Sequence, residues 1–252
     1  MTDTLTPLVA SVRWQTGTVV EVVQETYRTK TFRIRLPRWQ TFRPGQHFRI
    51  RLTAPDGYQA QRNYSIASAP ETAGEIALTI ELIPGGEVSS YFHETVRPGD
   101  EIELRGPIGC PFTWVSDMGG PLFLVAAGSG VVPLMSMIRH RANCAPDIKA
   151  TLLYSSRTQE DIIYRHELET RGASGEGFTV ILTLTRSVPP GWTGKSGRLN
   201  RDAISKALSC YRAVPRYYVC GPTAFVEMAA SALVDLGVPL ERIRTERFGP
   251  SD

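Results

Sequence analysis

Long apolar segments are missing from this chain, and so is the signal that usually precedes export. No stretch of the 252 residues reaches the roughly 18 consecutive apolar residues that mark a transmembrane helix. The N-terminus lacks a positively charged start followed by a long apolar segment, so no secretory signal is predicted. These absences predict a cytoplasmic protein that does not insert into a membrane.

A strong charge of either sign is also lacking. The formal net charge is only +3 and no basic run is present, whereas nucleic-acid-binding proteins usually carry a basic patch or stripe. We therefore expect no nucleic-acid ligand, although a local basic patch can still serve an acidic protein partner. With 42% hydrophobic residues, the chain can fill a packed core. The expected state is a monomer of one large or two ordinary domains.

Cysteine is scarce and widely spaced. The four cysteines are Cys110, Cys144, Cys210 and Cys220. Their spacings match neither the paired ligands of a zinc site nor the clustered ligands of an iron–sulfur centre. The sequence therefore predicts reduced thiols and no metal site.

The first half of the chain alternates short strands with turns. Strand patterns cover residues 17–26, 29–36, 45–52, 62–68, 75–82 and 100–107, and glycine and proline fill the gaps between them. Strands at this spacing, with almost no helix, are typical of a closed or nearly closed antiparallel barrel. The strand over residues 62–68 also carries a polar face, which on its own is adequately explained by solvent.

The second half alternates apolar strands with helices. The strand patterns cover residues 121–128, 149–156, 178–186, 216–222 and 242–248. Helical patterns lie at 131–138, at 160–172 with a glycine suited to the C-cap, and at 223–237. This alternation predicts a Rossmann-like α/β domain with about five parallel strands. We place the boundary within residues 114–121, which gives domains over residues 10–115 and 120–252.

A glycine-rich turn stands between the first of these strands and its helix. Gly128, Ser129 and Gly130 sit where a phosphate can approach the backbone and the N-terminus of the helix. The usual dinucleotide fingerprint has a third glycine at position 133, but this chain has Pro133, which a first helical turn tolerates. A purely structural turn stays open as an alternative.

Further polar groups follow the ends of the later parallel strands, where ligands of open α/β sheets bind. They are Arg157, Thr185, Arg186, Arg198, the run Cys220, Gly221 and Pro222, and the pair Glu246 and Phe248. Three arginines near one edge suit a phosphate monoester, which a guanidinium binds through two hydrogen bonds. Taken singly, each arginine can equally be a solvated surface charge, and Cys220 can be a buried structural thiol. Glu246 can be a solvated charge and Phe248 a residue that packs at the rim of the sheet.

In their order, these motifs resemble the ferredoxin–NADP(+) reductase superfamily over about residues 10 to 250. The flavin signature Arg-x-Tyr-Ser corresponds to residues 62–65, a second signature to the run GGEVSS, and the nucleotide signatures to GSGVVP and CGP. The resemblance implies an antiparallel Greek-key β-barrel that binds FAD, followed by an NADP-binding α/β domain. No fused iron–sulfur module is expected, because no four cysteines cluster.

The resemblance assigns flavin-binding roles to residues of the barrel. Arg62 would hold the FAD pyrophosphate, together with Gly86, Val88 and Ser89 at a helix start. Tyr64 would stack on one face of the isoalloxazine, and Ser65 would hydrogen-bond near its N5 atom. Since neighbouring residues of a strand point to opposite faces, the ring is expected to lie edge-on along this strand.

The resemblance also assigns roles in the second domain. Phe248 would cover the other flavin face, Cys220 would lie against the nicotinamide, and Glu246 would exchange protons or position the nicotinamide. The turn over residues 128–130 and the run over residues 220–222 would hold the nucleotide. Arg157, Thr185, Arg186 and Arg198 match positions that bind the 2′-phosphate, so NADPH is expected rather than NADH. Two departures are Phe248 where a tyrosine is more familiar, and the tail GPSD that follows it.

Three functions are compatible with these features. The leading one is an FAD-containing reductase that passes electrons from NADPH to a one-electron carrier such as ferredoxin or flavodoxin. An alternative is the NAD(P)H reductase component of a multicomponent oxygenase or other redox enzyme. A minor alternative is a non-catalytic, redox-sensing nucleotide-binding subunit, which is disfavoured because Ser65, Cys220 and Glu246 are all present.

Overall fold

A computed structural model describes residues 12–109 and 111–249 of the chain. Residues 10 and 11 of the predicted first domain, Cys110, and the last three residues of the tail GPSD lie outside the described residues. Within them, no helix is long and apolar enough to cross a membrane.

The first domain is a six-stranded antiparallel sheet with one helix. Its strands are β1 (Trp14–Thr26), β2 (Thr29–Arg35), β3 (His47–Thr53), β4 (Gln59–Ser65), β5 (Glu75–Glu81) and β6 (Glu101–Ile108), and helix α1 (Glu87–Glu94) lies between the last two. The strand order is β4-β3-β6-β1-β2-β5. A bridge between Ile66 and Leu78 joins the two ends of the sheet. The predicted Greek-key barrel is confirmed.

Alternation of side chains fills the barrel. In β2, Phe32 and Ile34 are fully buried while the arginines beside them are exposed, because side chains of a strand point alternately to the two faces. Phe92 of α1 packs edge-on against Phe32, with ring centroids 4.9 Å apart. The helix is thereby held against the barrel next to β4.

The second domain is a parallel sheet flanked by helices. Its strands are β7 (Leu122–Ala127), β8 (Ala150–Ser156), β9 (Phe178–Leu184), β10 (Lys195–Ser196), β11 (Arg216–Pro222) and β12 (Ile243–Phe248). Its helices are α2 (Val131–Cys144), α3 (Arg165–Ala173), α4 (Arg201–Leu208) and α5 (Thr223–Asp235). The order is β10-β9-β8-β7-β11-β12. Strands β8 to β10 are added on one side of β7, and β11 and β12 are then added on its other side. The Rossmann-like prediction is confirmed, with a two-residue sixth strand added.

One helix differs from its prediction. The pattern over residues 160–172 predicted a helix that ends at a glycine, but α3 begins at Arg165 and runs past Gly172 to Ala173. The residue before α3, Tyr164, has the left-handed φ of 59°, which prevents the helix from starting earlier. The other glycine expectation holds: α5 ends at Asp235 and Gly237 has φ 85°.

The two domains share an apolar core. The largest buried cluster of the second domain contains Ala67, Ala77, Phe112 and Trp114, which come from the barrel or from the connection that follows it. The relative position of the barrel and the parallel sheet is therefore fixed by packing as well as by the chain connection.

Candidate functional site

The predicted flavin strand is regular. β4 pairs with β3 without a break, so that Arg62 lies opposite Ile50 and Ser65 opposite His47. Arg62 and Tyr64 therefore share one face of β4, whereas Ser65 points to the other. Arg62 is exposed and Ser65 is buried, with 6% of its surface exposed. The position of the flavin ring, edge-on along this strand, stays a prediction.

The start of α1 adjoins the same strand. The hydroxyl of Tyr58, just before β4, donates to Glu87 Oε2 at 3.1 Å, and Glu87 is the first residue of α1. The rings of Tyr64 and Phe92 lie 6.1 Å apart. Helix α1 therefore contacts this part of the barrel at both Glu87 and Phe92, and the exposed Arg62 lies on the same face of β4 as Tyr64.

At this helix start, the side chains of Ser89 and Val88 both have contacts within the barrel domain. The hydroxyl of Ser89 accepts from the Ile83 N–H at 3.2 Å and donates to the Gly86 carbonyl at 3.2 Å. The side chain of Val88 is buried in the barrel core. What the turn offers to a phosphate is the first backbone N–H groups of α1, which lack intrahelical partners. Gly86 lies at the N-cap with extended backbone angles and leaves them accessible.

The glycine-rich turn is packed onto the end of β11. Residues 128–130 form a single 3₁₀ turn between β7 and α2, and Gly128 has the left-handed φ of 54°. A Cβ on Gly130 would lie 2.3 Å from the Cys220 carbonyl oxygen, so only glycine fits. β8 lies on one side of β7 and β11, which follows β10 in the chain, lies on the other, so the order in which strands are added reverses at β7. Ligands of open α/β sheets bind at such a switch point.

The predicted nicotinamide residues form two matched pairs. In the register of β11 and β12, Cys220 lies beside Glu246, and Pro222 beside Phe248. Neighbours in a sheet point to the same face, so these four side chains form one patch. Cys220 is completely buried, and Phe248 packs against the cluster that contains it. Any contact of Cys220 with a ligand ring thus depends on displacement of a neighbour such as Phe248.

Glu246 has a buried carboxyl oxygen with no hydrogen-bond partner among the described residues. Its Oε2 atom is buried and makes no hydrogen bond among the described residues, and within them it shares none with Ser65. Burial raises the pKa of Glu246 to about 7, from an ordinary value of 4.5. A carboxyl with a pKa near neutrality can hold or release a proton at physiological pH. This group has the properties expected of a site for a polar ligand.

The raised pKa makes a prediction for stability. Because the folded protein binds the Glu246 proton more tightly than the unfolded chain, stability should fall as the pH rises from about 5 to about 8. In Glu246→Gln this contribution is absent. We expect the decrease in unfolding free energy between pH 5 and pH 8 to be larger in the wild type by on the order of 1 to 3 kcal/mol, measured by urea unfolding.

The matched control for that measurement is Glu227→Gln. Glu227 is an exposed carboxylate on α5 that pairs with Arg247. Its replacement should leave the pH dependence of stability close to that of the wild type. Identical pH dependences in the wild type and Glu246→Gln would contradict the raised pKa.

Main-chain hydrogen bonds connect the segments that carry the residues predicted to bind the 2′-phosphate. The Thr185 N–H and hydroxyl both donate to the Ser156 carbonyl, at 3.0 and 3.2 Å. The Arg186 N–H donates to the Arg157 carbonyl at 2.9 Å, and the Gly197 N–H to the Leu184 carbonyl at 2.8 Å. These bonds continue the pairing of β8, β9 and β10 beyond their carboxyl ends.

The three arginines of this edge are Arg157, Arg186 and Arg198. All three are exposed, and none has an ion-pair partner within residues 12–109 and 111–249. By contrast, Arg33, Arg51 and Arg139 each contact a carboxylate. We name Arg157, Arg186 and Arg198 the arginine edge.

His47 is a residue next to the site that none of the sequence motifs marks. His47 lies directly across from Ser65, and burial, followed by the charge of Arg49, lowers its pKa. It is therefore neutral near pH 7 and can both donate and accept a hydrogen bond. The signal was available, because a hairpin centred on residue 56 places residue 47 opposite residue 65.

Comparison with known proteins decides the family. A family model described as "Oxidoreductase FAD-binding domain" matches residues 16–112, and one described as "Oxidoreductase NAD-binding domain" matches residues 124–231. "Ferredoxin--NADP reductase B" of Sorangium cellulosum is 32% identical over 212 residues, which are 82% of this chain and 85% of that protein. The chain belongs to the ferredoxin–NADP(+) reductase superfamily.

Two further comparisons show a similar reductase subunit and a solved structure with the same fold. The "Glycine betaine monooxygenase reductase subunit" of Pseudomonas aeruginosa is 29% identical over 243 residues, which are 92% of this chain but only 63% of that protein. The chain thus spans less than two thirds of the length of this relative. The crystal structure of a ferredoxin NADP+ reductase from Neisseria gonorrhoeae with bound FAD and NADP has 23% sequence identity and a TM-score of 0.78, covering 93% of this chain and 98% of that one. It shares the fold.

Membership confirms the predictions of enzyme class and cofactor type. The chain has the FAD-binding and NAD-binding domains of an NAD(P)H-dependent flavoprotein oxidoreductase. The domain bounds at residues 10–115 and 120–252, the roles of the individual site residues, the monomeric state and the cellular location stay predictions.

Proposed function

We propose that this protein oxidises NADPH through bound FAD and delivers the electrons singly to a separate redox protein. When bound, FAD takes up two electrons from the nicotinamide and can release them one at a time. The chain supplies the positions and charges around that chemistry. The observation that carries the choice of nucleotide is the arginine edge.

The arginine edge favours a nucleotide with an extra phosphate. Arg157, Arg186 and Arg198 follow the carboxyl ends of β8, β9 and β10, and none of them pairs with a carboxylate among the described residues. Unneutralised arginines bind a phosphate monoester through charge-assisted hydrogen bonds. An acidic residue there would instead accept the ribose hydroxyls of NADH and repel that phosphate.

The remaining residues act on the flavin and the nicotinamide. Tyr64, on the exposed-arginine face of β4, would stack on the flavin, while Ser65 reaches its edge from the other face. Phe248 would shield the patch of Cys220 and Glu246 until the nicotinamide enters. Glu246 would hold the proton that the reduced flavin exchanges, which its pKa of about 7 permits.

A second candidate function rests on the relatives. One of them is a reductase subunit of a glycine betaine monooxygenase, and it is similar over 92% of this chain. On this reading the protein serves a terminal oxygenase, either directly or through an iron–sulfur carrier. The two candidates share the same reductive half-reaction and differ only in the acceptor.

The experiment begins with purified protein reconstituted with FAD. Anaerobic NADPH should bleach the flavin absorption, and the reduced protein should then pass electrons to ferredoxin or flavodoxin in a transfer assay. Transfer only to an oxygenase component would favour the second candidate. A protein that cannot be reconstituted with FAD, or whose flavin is reduced by neither NADPH nor NADH, would refute the proposed function.

Arg157→Ala tests the choice of nucleotide. Losing a charge-assisted hydrogen bond to the 2′-phosphate costs about 1.5 to 3 kcal/mol, so the KM for NADPH should rise by roughly 10- to 150-fold. The KM for NADH should change little. Arg165→Ala is the control, because Arg165 is also exposed but pairs with Glu169 on α3. An equal loss for both nucleotides would contradict the phosphate role.

A further inference from the structure

One polar face of α2 is bonded to the chain that continues β4. Ser136, Arg139, His140, Asn143 and Cys144 follow each other at spacings of three, one, three and one, so they share one face of the helix. Each of them contacts residues 67–71, which directly follow the predicted flavin strand. We call this set of contacts the α2 seam.

The first part of the seam holds the main chain two and three residues beyond Ser65. The hydroxyl of Ser136 donates to the Ser68 carbonyl at 2.6 Å. The Nη1 of Arg139 donates to the Ala67 carbonyl at 2.8 Å. Ser136 is completely buried, so its hydroxyl has no access to solvent as an alternative.

The second part of the seam surrounds the carboxylate of Glu71. Asn143 Nδ2 donates to it at 3.1 Å and the Cys144 thiol at 3.3 Å. His140 contacts the same carboxylate through Nδ1, while its Nε2 accepts from the Ser116 N–H at 3.2 Å. Because Nε2 accepts, Nδ1 carries the proton and donates. Asn143, Cys144 and His140 thus all form hydrogen bonds with the Glu71 carboxylate, and these bonds explain why the side chains lie together without a metal ion.

Arg139 is itself held from two sides. Its guanidinium pairs with Glu167 of α3 and lies 4.9 Å from the ring centroid of Tyr164. The Tyr164 hydroxyl donates to Thr79 of β5, and Thr79 shares a hydrogen bond with Thr31 of β2 at 2.8 Å. The donor to Ala67 is thus fixed in place by contacts to both domains.

The geometry links two distant parts of the site. α2 begins immediately after the turn over residues 128–130, and Ser136 lies five residues, or roughly 7.5 Å, along the helix axis from Val131. Ala67 lies two residues, or roughly 6.6 Å, beyond Ser65 along the chain. A short, fully bonded path therefore joins the nucleotide turn to the flavin strand.

We infer that Ser136 and Arg139 are positioning residues, which set the distance between the nicotinamide and the flavin by fixing the nucleotide turn to the flavin strand. The inference rests on the proposed function, because it concerns the transfer of a hydride between the two cofactors. Neither residue is among the predicted cofactor contacts. They act through the Ala67 and Ser68 carbonyls, and their loss changes the approach of the rings rather than the binding of either.

The test is the limiting rate of flavin bleaching in Ser136→Ala and in Arg139→Met, measured by anaerobic stopped flow at saturating NADPH. Because a misplacement of about 1 Å can cost on the order of 100-fold in rate, we expect a fall of roughly 10-fold or more in each variant. The KM for NADPH and the flavin spectrum should stay close to the wild type. The isotope effect with NADPH deuterated at the transferred hydrogen should increase, and Arg139→Lys should restore part of the rate.

Matched controls separate this role from a general loss of packing. Ser174→Ala removes a hydroxyl that donates to the Arg171 carbonyl at 2.8 Å at the C-terminal end of α3. Arg165→Met removes an arginine of the same helix that pairs with Glu169. Both should leave the limiting rate unchanged.

The outcomes distinguish the two proposals. If neither nucleotide bleaches the wild type, the proposed function fails and this inference with it. If the wild type is bleached and the FAD-loaded seam variants react at the wild-type rate, the inference alone is overturned. A lower melting temperature or lower FAD content with an unchanged rate would mean a structural role only and would also overturn it. Should Arg139→Met not fold, Ser136→Ala and Arg139→Lys decide the matter.

Discussion

Arg62→Ala is expected to lose FAD. Arg62 is exposed on β4 beside the first turn of α1 and, among the described residues, its only hydrogen bond runs to the neighbouring Gln61 carbonyl, so its guanidinium is available to a pyrophosphate. Charge-assisted hydrogen bonds contribute about 1.5 to 3 kcal/mol, and their loss should weaken FAD binding by up to roughly 100-fold. Fluorescence titration of the apoprotein with FAD measures this directly.

Two variants sharpen that experiment. Arg62→Lys keeps the charge but not the two parallel hydrogen bonds, so its FAD affinity should fall between those of the wild type and Arg62→Ala. Arg33→Ala removes a charge from β2, where Arg33 pairs with Glu21 and Glu75. Its FAD affinity should match that of the wild type. Equal weakening by Arg33→Ala and Arg62→Ala would mean that only the overall charge of the barrel matters.

Gly130→Ala is expected to disrupt the second domain. The added Cβ would lie 2.3 Å from the Cys220 oxygen, 2.5 Å from its carbonyl carbon and 2.7 Å from the Gly221 Cα. All three are backbone atoms, so the turn or the end of β11 must shift. Overpacking of this kind costs about 3 kcal/mol of unfolding free energy, measured by urea unfolding. The KM for nucleotide should rise as well, because both displaced segments belong to its predicted site.

The control for Gly130→Ala has the opposite sign. Gly172 lies inside α3, and a Cβ there would meet only ordinary contacts, the nearest at 3.8 Å. Alanine is a better helix former than glycine, so Gly172→Ala should raise the unfolding free energy by roughly 0.5 to 1 kcal/mol. A destabilisation of similar size by both substitutions would contradict the close approach of Gly130 to β11.

The strands could be predicted from the sequence because their limits are local. Glycine and proline turns separate the barrel strands, and β7 shows a continuous apolar run from Leu122 to Ala127 that is characteristic of a buried parallel strand. Helix α4 has a sequence signal at its start, because asparagine is a preferred N-cap residue. The structure confirms that cap, since the Asn200 side chain accepts from the Ala203 N–H at 2.9 Å. The sequence pattern did not predict this helix, because it is only eight residues long.

Other features depend on contacts that no local pattern reveals. The left-handed Tyr164 is held by its hydroxyl bond to Thr79 and by Arg139 over its ring, and all three belong to different elements. The polar face of α2 has the composition of a solvated helix face, yet it binds residues 67–71. The hydroxyl of Ser89, a predicted phosphate ligand, forms hydrogen bonds with Ile83 and Gly86 of its own turn, which the sequence motif does not reveal.

The apolar core that includes Ala67, Ala77, Phe112 and Trp114 constrains how such proteins can be recombined. A chimera that joins this barrel to a different nucleotide domain at residue 115 would leave Phe112 and Trp114 facing a surface that did not evolve with them. The transplantable unit is therefore the second domain together with the connection after β6 and the barrel positions that pack against it. To change cofactor preference by exchanging the nucleotide domain, that whole set of contacts must be exchanged with it. Substitution of the arginine edge alone leaves these contacts intact.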